Sequence, residues 1–163
     1  MATIQIRTFP DPILKQKSKR IKAVDSAVKH LSGDMLDTMY HAQGVGLAAP
    51  QIGIPLRMIV LSIPGNDEMV LINPEVVRRS GERLLSEGCL SVPGYIGEVK
   101  RSESVIVKGR NLKGKEIRIK AEGLLAQALE HEIDHLNGIL YIDHIESEDK
   151  LYELKSETND VGL

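Results

Sequence analysis

LLAQALEHEIDHLNG, residues 124–138, is the stretch of this sequence that decides the fold. At about 100° of rotation per helical residue, His131 and His135 fall roughly 40° apart, and Glu132 falls beside them at about 100°. The aliphatic residues share that side, so the pattern predicts a helix whose imidazoles and carboxylate face the core. Gly138 predicts where this helix ends. The polar residues on the opposite side are Gln127, Glu130, Asp134 and Asn137.

Two imidazoles and a carboxylate on a buried helical face cost free energy unless they find partners. Core histidines bonded to backbone groups are one explanation of the pair. A metal ion explains the whole pattern better, because H-E-x-x-H places two imidazoles one above the other with a glutamate beside them. We therefore predict that His131 and His135 are metal ligands and that Glu132 is an acid/base.

Cys89 is the single cysteine of the chain and lies in the segment EGCLS, residues 87–91. Taken alone, such a cysteine is a small buried hydrophobe. It has no partner for an internal disulfide, which suits a reducing compartment. Beside an open two-histidine site it becomes the candidate for the third ligand, because three protein ligands and one open position characterise catalytic metal sites.

The composition argues against several classes of protein. The net charge is −2, and the aromatic residues are one Phe and four Tyr without Trp, so neither general nucleic-acid binding nor base stacking is indicated. The sequence shows no signal-peptide pattern, and no apolar run reaches the length of a membrane span. We expect one domain over residues 1–163, located in the cytoplasm, with no specific nucleic-acid partner and no membrane partner.

The rest of the chain predicts one long helix, several strands and a short helix near the end. Residues 1–23 read as an extended basic arm, and apolar spacing predicts a helix over 25–43 that is capped near Asp25. A short helix is predicted over 147–155, followed by a frayed tail over 157–163. Strands are predicted over residues 57–63, 69–77 (broken at Asn73–Pro74), 95–110 and 115–121.

The segment GVGLAAPQ, residues 44–51, combines two glycines with a run of small residues. It matches neither the phosphate loop nor the dinucleotide loop, since it has no Gly-Lys-Ser/Thr and lacks the third glycine. A turn after the preceding helix is the simpler interpretation. A smooth wall of small residues ending in the amide of Gln51 is also suited to accepting an extended peptide strand edge to edge.

Together, GVGLAAPQ (44–51), EGCLS (87–91) and HEIDH (131–135) resemble the three motifs of the peptide deformylase family. Every defined position of the family's motifs is met. The segment PDPIL (10–14) and the spacing between motifs are also similar, so the resemblance covers about residues 5–145. It implies an α+β fold in which antiparallel β-sheets wrap around a central, metal-bearing α-helix.

The resemblance also implies an activity and a set of residue roles. The activity is hydrolytic removal of the formyl group from the N-terminal formyl-methionine of new polypeptides. Cys89, His131 and His135 would hold the metal, with water in the fourth position, and Glu132 would be the acid/base. Gln51 and the backbone N–H of Leu90 would donate to the oxyanion. The implied substrate-binding residues are Gly44, Val45, Gly46, Glu87, Gly88, Leu124, Gln127 and Ala128.

One divalent metal ion is the implied cofactor, with Fe(II) as the native ion and Zn, Ni or Co as alternatives that a thiolate–imidazole site accepts. Glu87 and Arg101 are candidates for an ion pair that supports the Cys89 loop. The implied partners are N-formylmethionyl nascent peptides and, transiently, the ribosome. We expect a monomer.

Two other functions remain open from the residues alone. A zinc endopeptidase shares H-E-x-x-H, but its third ligand usually lies downstream of the helix, where only Asp/Glu residues and His144 are available. A metal-stapled binding module would instead close its metal with four protein ligands.

Overall fold

Antiparallel strands and two α-helices build the described part of the chain, residues 2–154 of a computed structural model. The helices are α1, Ser26–His41, and α2, Gly123–Leu136. The strands are β1, Gly46–Ala48; β2, Met58–Leu61; β3, Met69–Ser80; β4, Arg83–Cys89; β5, Val92–Arg101; β6, Ser104–Arg110; β7, Glu116–Glu122; and β8, Leu151–Glu153. Short 3-10 helices span Pro12–Lys15, Ala49–Ile52, Tyr141–His144 and Glu148–Lys150.

The strands form two antiparallel sheets with α2 packed against them. The larger sheet has the order β1-β2-β3-β6-β7, and the smaller has the order β4-β5-β8. The inner side chains of α2 join those of the larger sheet in one apolar core, in which Ala128 and Leu129 are fully buried. The expected α+β architecture, with antiparallel sheets around a central helix, is confirmed. Neither α-helix within residues 2–154 is long and apolar enough to span a bilayer.

The burial of α2 extends further around the helix than its sequence pattern predicts. Gln127 and Glu130, assigned to the side opposite the histidines, are only 7% and 6% exposed. Strands cover that side as well, and the polar groups are satisfied by hydrogen bonds. Glu130 accepts from the backbone and hydroxyl of Ser102, and Arg79 donates to the same carboxylate. The prediction of a solvent-facing polar side is therefore wrong for these two residues.

Helix α1 begins where the sequence predicts. The side chain of Asp25 accepts a hydrogen bond from the backbone N–H of Val28, which satisfies one of the free donors at a helix start. Met35 and Met39 on its inner side are fully buried against a second apolar cluster. This cluster includes Leu47 of β1.

Two strand predictions and the last helix prediction need correction. The predicted strand over 95–110 is two strands, β5 and β6, which belong to different sheets. β3 continues through Asn73–Pro74, where its pairing with β6 shifts register instead of ending. The helix predicted over 147–155 is a 3-10 turn followed by β8, since pairing with β5 satisfies this backbone. Lys155 and the predicted frayed tail lie outside the described residues.

The N-terminal arm is extended, as predicted, except where Pro12–Lys15 forms a 3-10 helix, and backbone hydrogen bonds hold it to the body of the molecule. Ser18 N–H donates to the carbonyl of Leu136 at the end of α2, over 2.8 Å. Asn73 then bridges the arm to β3, because its amide donates to the carbonyl of Ile21 and accepts from the N–H of Ile21, each over 2.8 Å. Asn73 is 8% exposed and has a positive φ of 52°.

Replacing Asn73 by alanine removes both bridging hydrogen bonds and leaves two backbone groups of Ile21 without partners. We expect Asn73→Ala to lower the free energy of unfolding by about 2–4 kcal/mol in urea titration. Asn73→Gly should be less destabilising by about 1 kcal/mol, because glycine tolerates the left-handed conformation. Exposed Asn66→Ala is the control, with an expected change within about 0.5 kcal/mol. Equal stability of wild type and Asn73→Ala would contradict this account of the arm.

Candidate active site

Helix α2 turns three polar side chains into the space between the two sheets. His131 and His135 lie on successive turns and are each 1% exposed, and Glu132 is fully buried. The Nε2 atoms of the two imidazoles are 3.2 Å apart. The helical spacing of the motif therefore brings the two rings to a common point, as the sequence predicts.

Cys89 reaches that point from the end of β4. It is followed by the two-residue turn Leu90–Ser91, after which the chain returns as β5 with Val92 opposite Cys89. The sulfur lies 3.4 Å from His135 Nε2. The donor atoms of Cys89, His131 and His135 all lie within 4.8 Å of one another, so the structure brings the three predicted ligands together.

Two of the three donor separations match those of ligands on a single metal ion, and the third is within 4.8 Å. Metal–nitrogen bonds of about 2.0–2.1 Å and metal–sulfur bonds of about 2.3 Å place tetrahedral ligands roughly 3.3–3.6 Å from each other. The N–N separation of 3.2 Å and the S–N separation of 3.4 Å are close to those edges. One soft thiolate and two imidazoles are a ligand set for zinc or iron.

Hydrogen-bond donors surround the sulfur of Cys89. The backbone N–H of Ser91 lies 3.4 Å from Sγ, and Nε2 of Gln51 lies 3.8 Å from it. Gln51 is held in place from both ends: its Nε2 donates to Ser91 Oγ over 3.0 Å, and its Oε1 accepts from Ala48 N–H over 2.9 Å. These contacts place the Gln51 amide beside the ligand cluster.

A chain of charged side chains supports His131 from behind. Glu87 contacts His131 Nδ1 and accepts two hydrogen bonds from Arg101, of 3.0 and 2.6 Å. Arg101 also donates to Asp134 over 2.7 Å, and Asp134 lies 2.8 Å from His144 Nε2. The predicted ion pair between Glu87 and Arg101 is confirmed. A carboxylate on the second ring nitrogen fixes the orientation of a ligating histidine.

This electrostatic environment favours a cation at the histidine pair. Burial alone would raise the pKa of Glu87, but its contacts with His131 and Arg101 lower it below its usual range. Burial lowers the pKa of His131, but the neighbouring anionic groups, Glu87 first among them, outweigh burial. The pKa of His131 is therefore well above its usual value. Burial and the charge of His131 lower the pKa of His135 well below its usual value, which keeps this ring in the neutral form that binds metals.

Glu132 has an unusual position for a carboxyl group. Among the described residues, neither of its oxygens has a hydrogen-bond partner, although both are buried. Burial raises the pKa of Glu132 to about 7, where it can both accept and release a proton near neutrality. Gly46 of β1 makes room for it: a Cβ atom added at Gly46 would lie 2.6 Å from Glu132 Oε2.

The predicted strand-binding segment forms the edge of the larger sheet. Among the described strands, β1 pairs only with β2, and Val45 extends the pairing by accepting from Ser62 N–H over 2.8 Å. The backbone groups of Gly46 alternate with these and point away from β2, whereas the N–H of Gly44 donates to the carbonyl of Met39 over 2.9 Å. An edge strand of this kind can accept one further strand.

The predicted binding region for the substrate side chain combines apolar residues with the side-chain amide of Gln127. Leu124 and Val45 are each partly exposed and pack on the apolar cluster that contains Ala128. Gln127 is not free to reorient, because its Nε2 lies within hydrogen-bond distance of Glu87 Oε2, at 3.1 Å, and of Ser86 O, at 3.3 Å. Gly88 precedes Cys89 at the buried end of β4.

Comparison with known proteins gives the family. The sequence model of the family "Polypeptide deformylase" matches residues 3–151. This chain belongs to the polypeptide deformylase family. A peptide deformylase of Dehalococcoides mccartyi (strain CBDB1) is 51% identical over 155 residues, covering 94% of this chain and 93% of that protein.

Solved deformylases share the fold. The crystal structure of a peptide deformylase from Legionella pneumophila aligns with a TM-score of 0.87 at 46% identity, covering 91% of this chain and 88% of that one. The peptide deformylase from Ehrlichia chaffeensis in complex with actinonin aligns with a TM-score of 0.89 at 37% identity, covering 92% of each chain.

Some members of this deformylase site were not identified from the sequence. The sequence predicts no role for Ser91, yet its N–H donates to Cys89 Sγ and its hydroxyl accepts from Gln51. The helical pattern predicts Asp134 on the outer side of α2, yet it binds Arg101. The sequence predicts no role for His144, which contacts Asp134. Asp134 lies one helical turn after His131, so helix geometry could have predicted that it lies near this ligand. Nothing in the sequence indicates that Arg101 and His144 are its partners.

Gly46→Ala tests the close approach between β1 and the buried carboxyl. The added methyl group would displace the Glu132 side chain, so we expect a loss of about 1–3 kcal/mol in the free energy of unfolding and a loss of deformylase activity. In a Glu132→Ala background the same change should cost far less, because the obstructing carboxyl is gone. Additive costs in this double-mutant cycle, measured on the zinc-loaded proteins, would contradict the assignment.

Proposed function

We propose that this protein hydrolyses the formyl amide at the N-terminal formyl-methionine of newly made polypeptides and releases formate. The observation that carries the proposal is the convergence of Cys89, His131 and His135 beside the buried, unpartnered carboxyl of Glu132. Membership of the deformylase family supports the same activity. We further propose that residues 1–163 act as one catalytic domain.

We propose that Cys89 Sγ and the Nε2 atoms of His131 and His135 hold one divalent metal ion. Fe(II) is the proposed native ion, with Zn, Ni and Co as ions that the same ligands accept. When bound, the ion lowers the pKa of a coordinated water toward about 7 and polarises the substrate carbonyl. Actinonin is bound by related deformylases, so it serves as a ligand with which to probe this site.

Glu132 is the proposed general base and then the general acid. Its carboxylate takes a proton from the attacking water and returns it to the amine that leaves the formyl carbon. A pKa of about 7 suits both steps, because the group is then a base and an acid of matched strength near neutrality. Its oxygens have no competing partner among the described residues, which leaves them free for this exchange.

Two donors of the chain are proposed to stabilise the negative charge that develops on the formyl oxygen. Nε2 of Gln51 is positioned by Ser91 and Ala48 at the ligand cluster, and the N–H of Leu90 belongs to the turn that follows Cys89. The hydrogen bonds of Gln51 hold its amide before substrate arrives. Loss of one such donor typically costs about 10²–10³ in rate.

The substrate backbone is proposed to add a strand to the free edge of β1. Gly44, Val45 and Gly46 would line the groove on one side, where the backbone of Gly46 faces away from β2. Glu87 and Gly88 at the end of β4 would border the groove on the other side. Leu124, Gln127 and Ala128 would border the methionine side chain, which is apolar and unbranched. The formyl carbon bears only hydrogen, so a tight site selects against acetyl groups by shape.

The two alternative functions have less support. A zinc endopeptidase usually takes its third ligand downstream of its H-E-x-x-H helix. No described Asp, Glu or His downstream of α2 joins His131 and His135 in a group that could hold a metal, and His144 contacts Asp134. A closed, four-ligand structural site would need a fourth donor, and the described residues that could hold a metal together are the three named above. Cleavage of an unblocked internal peptide would favour the endopeptidase.

Partners and location follow from the proposed activity. We propose that N-formylmethionyl nascent peptides are the substrates, that contact with the ribosome is transient, and that the protein works as a monomer in the cytoplasm. A reducing compartment keeps the thiol of Cys89 available as a ligand.

Formate release from a formyl-Met tripeptide tests the function directly, with the acetylated peptide as the comparison. Glu132→Gln keeps the shape of the side chain and removes its basicity, so we expect unchanged metal content and a fall in kcat of about 10²–10⁴. Glu122→Gln, an exposed change at the start of the same helix, should keep wild-type kcat. A fully active Glu132→Gln enzyme would overturn the assigned role.

A further inference from the structure

A strip of exposed cations follows the N-terminal arm. Residues 15–22 read KQKSKRIK, and no acidic residue occurs from 13 to 24. Ser18 and Ile21 point inward and are buried, whereas the lysines and the arginine of the strip are exposed. Hydrogen bonds from the arm to Leu136, Pro55, Arg57 and Asn73 fix its backbone, so these charges are displayed on a rigid support.

Further cations lie beside the strip. The turn between β6 and β7 comes close to it, since a Cβ atom added at Gly114 would lie 4.0 Å from Val24. Lys113 and Lys115 flank that glycine and are exposed. Six of these cations form no ion pair with a carboxylate within residues 2–154. We call this group the basic face: Lys17, Lys19, Arg20, Lys22, Lys113 and Lys115.

At one end of the basic face lies a cleft of about 260 Å³. Lys17, Arg20 and Arg57 line it, with Glu75 as its single acidic residue. Arg57 donates to neutral acceptors, the carbonyl of Leu136 and the side chain of Asn137, each over 2.9 Å. Burial and the nearby charge of Arg20 lower the pKa of Arg57. The guanidinium is therefore held in place without a carboxylate partner in direct contact.

The net charge of the chain does not reveal that positive charge is concentrated on this face. The basic face with Arg57 and Arg110 carries eight cations. The acids beside them are Glu75 in the cleft, Glu116 opposite Arg110 in the pairing of β6 and β7, and Asp25 three residues after Lys22. Of these acids, Asp25 caps α1 and Glu116 pairs with Lys108. The rest of the chain has thirteen cations and twenty acids. The cations gathered on this face repel one another unless an anionic partner neutralises them.

We propose that the basic face binds the phosphate backbone of folded RNA, without reading its sequence. An extended chain rises about 3.3 Å per residue, so Lys17 to Lys22 span about 17 Å. One strand of a nucleic-acid duplex carries a phosphate about every 3.4 Å along its axis, so this span faces several phosphates. The face carries no aromatic residue for stacking on bases. Its apolar residues turn inward, which argues against insertion into a membrane.

Binding of a fluorescein-labelled RNA hairpin, followed by anisotropy with the metal-loaded full chain, tests this proposal. With about four phosphate contacts, raising salt from 50 to 200 mM should weaken binding about 10²-fold. The variant Lys17→Glu/Arg20→Glu/Lys22→Glu should weaken binding at least tenfold at low salt. Its formate release from a soluble formyl-Met peptide should stay at the wild-type rate, because none of these residues lies in the catalytic cluster.

The matched control reverses three exposed cations on the outer side of the larger sheet, Arg78→Glu/Arg118→Glu/Lys120→Glu. It changes the net charge by the same amount and should retain RNA binding. Equal losses in both variants, or wild-type binding by the first, would overturn the proposal. A poly-glutamate chain of equal charge should compete poorly with the hairpin, and strong competition would reject RNA in favour of an acidic protein. Neither result depends on the proposed hydrolytic activity.

Discussion

The rest of the structure depends on burying α2 while it carries two imidazoles, a carboxyl group and, one turn on, an aspartate. A buried charge is tolerated only when it is paired. Arg101 supplies the pairing here, since one guanidinium bonds to both oxygens of Glu87 and to Asp134. Glu87 in turn contacts His131 and orients its ring. The contacts of Arg101 therefore both allow α2 to be buried and fix the orientation of a metal ligand.

The two sheets supply different partners for the polar side chains of α2. The larger sheet supplies the apolar side of the core and presents the edge strand β1 near Glu132. The smaller sheet brings Glu87 and Cys89 on β4 and Arg101 on β5. A site of this kind needs ligands from elements far apart in sequence, because the helix alone offers only two imidazoles. The two sheets enclose the carboxyl of Glu132, whose oxygens have no hydrogen-bond partner within residues 2–154.

Local patterns predicted much of this arrangement. The spacing of His131 and His135 predicted their common direction, and Asp25 predicted the start of α1, because both are properties of a single helix. The outer side of α2 was misjudged, since burial of Gln127 and Glu130 depends on strands that arrive from elsewhere. The single strand predicted over residues 95–110 failed for a related reason. Alternation shows that a segment is extended, but it does not show which sheet each half joins.

The basic face illustrates the same limit for charge. A net charge of −2 argues against nucleic-acid partners only if the charges are evenly spread. The arm read as basic in the sequence, but Lys113, Lys115 and Arg57 join it only through the fold. Function at a distance from the catalytic cluster therefore has to be sought in the structure.

X-ray absorption spectroscopy at the metal edge of the loaded protein tests the central claim most directly. We expect one sulfur at about 2.3 Å and two imidazole nitrogens at about 2.0–2.1 Å from the metal, with the sulfur absent in a Cys89→Ser variant. A first coordination sphere without sulfur in the wild-type protein would contradict it.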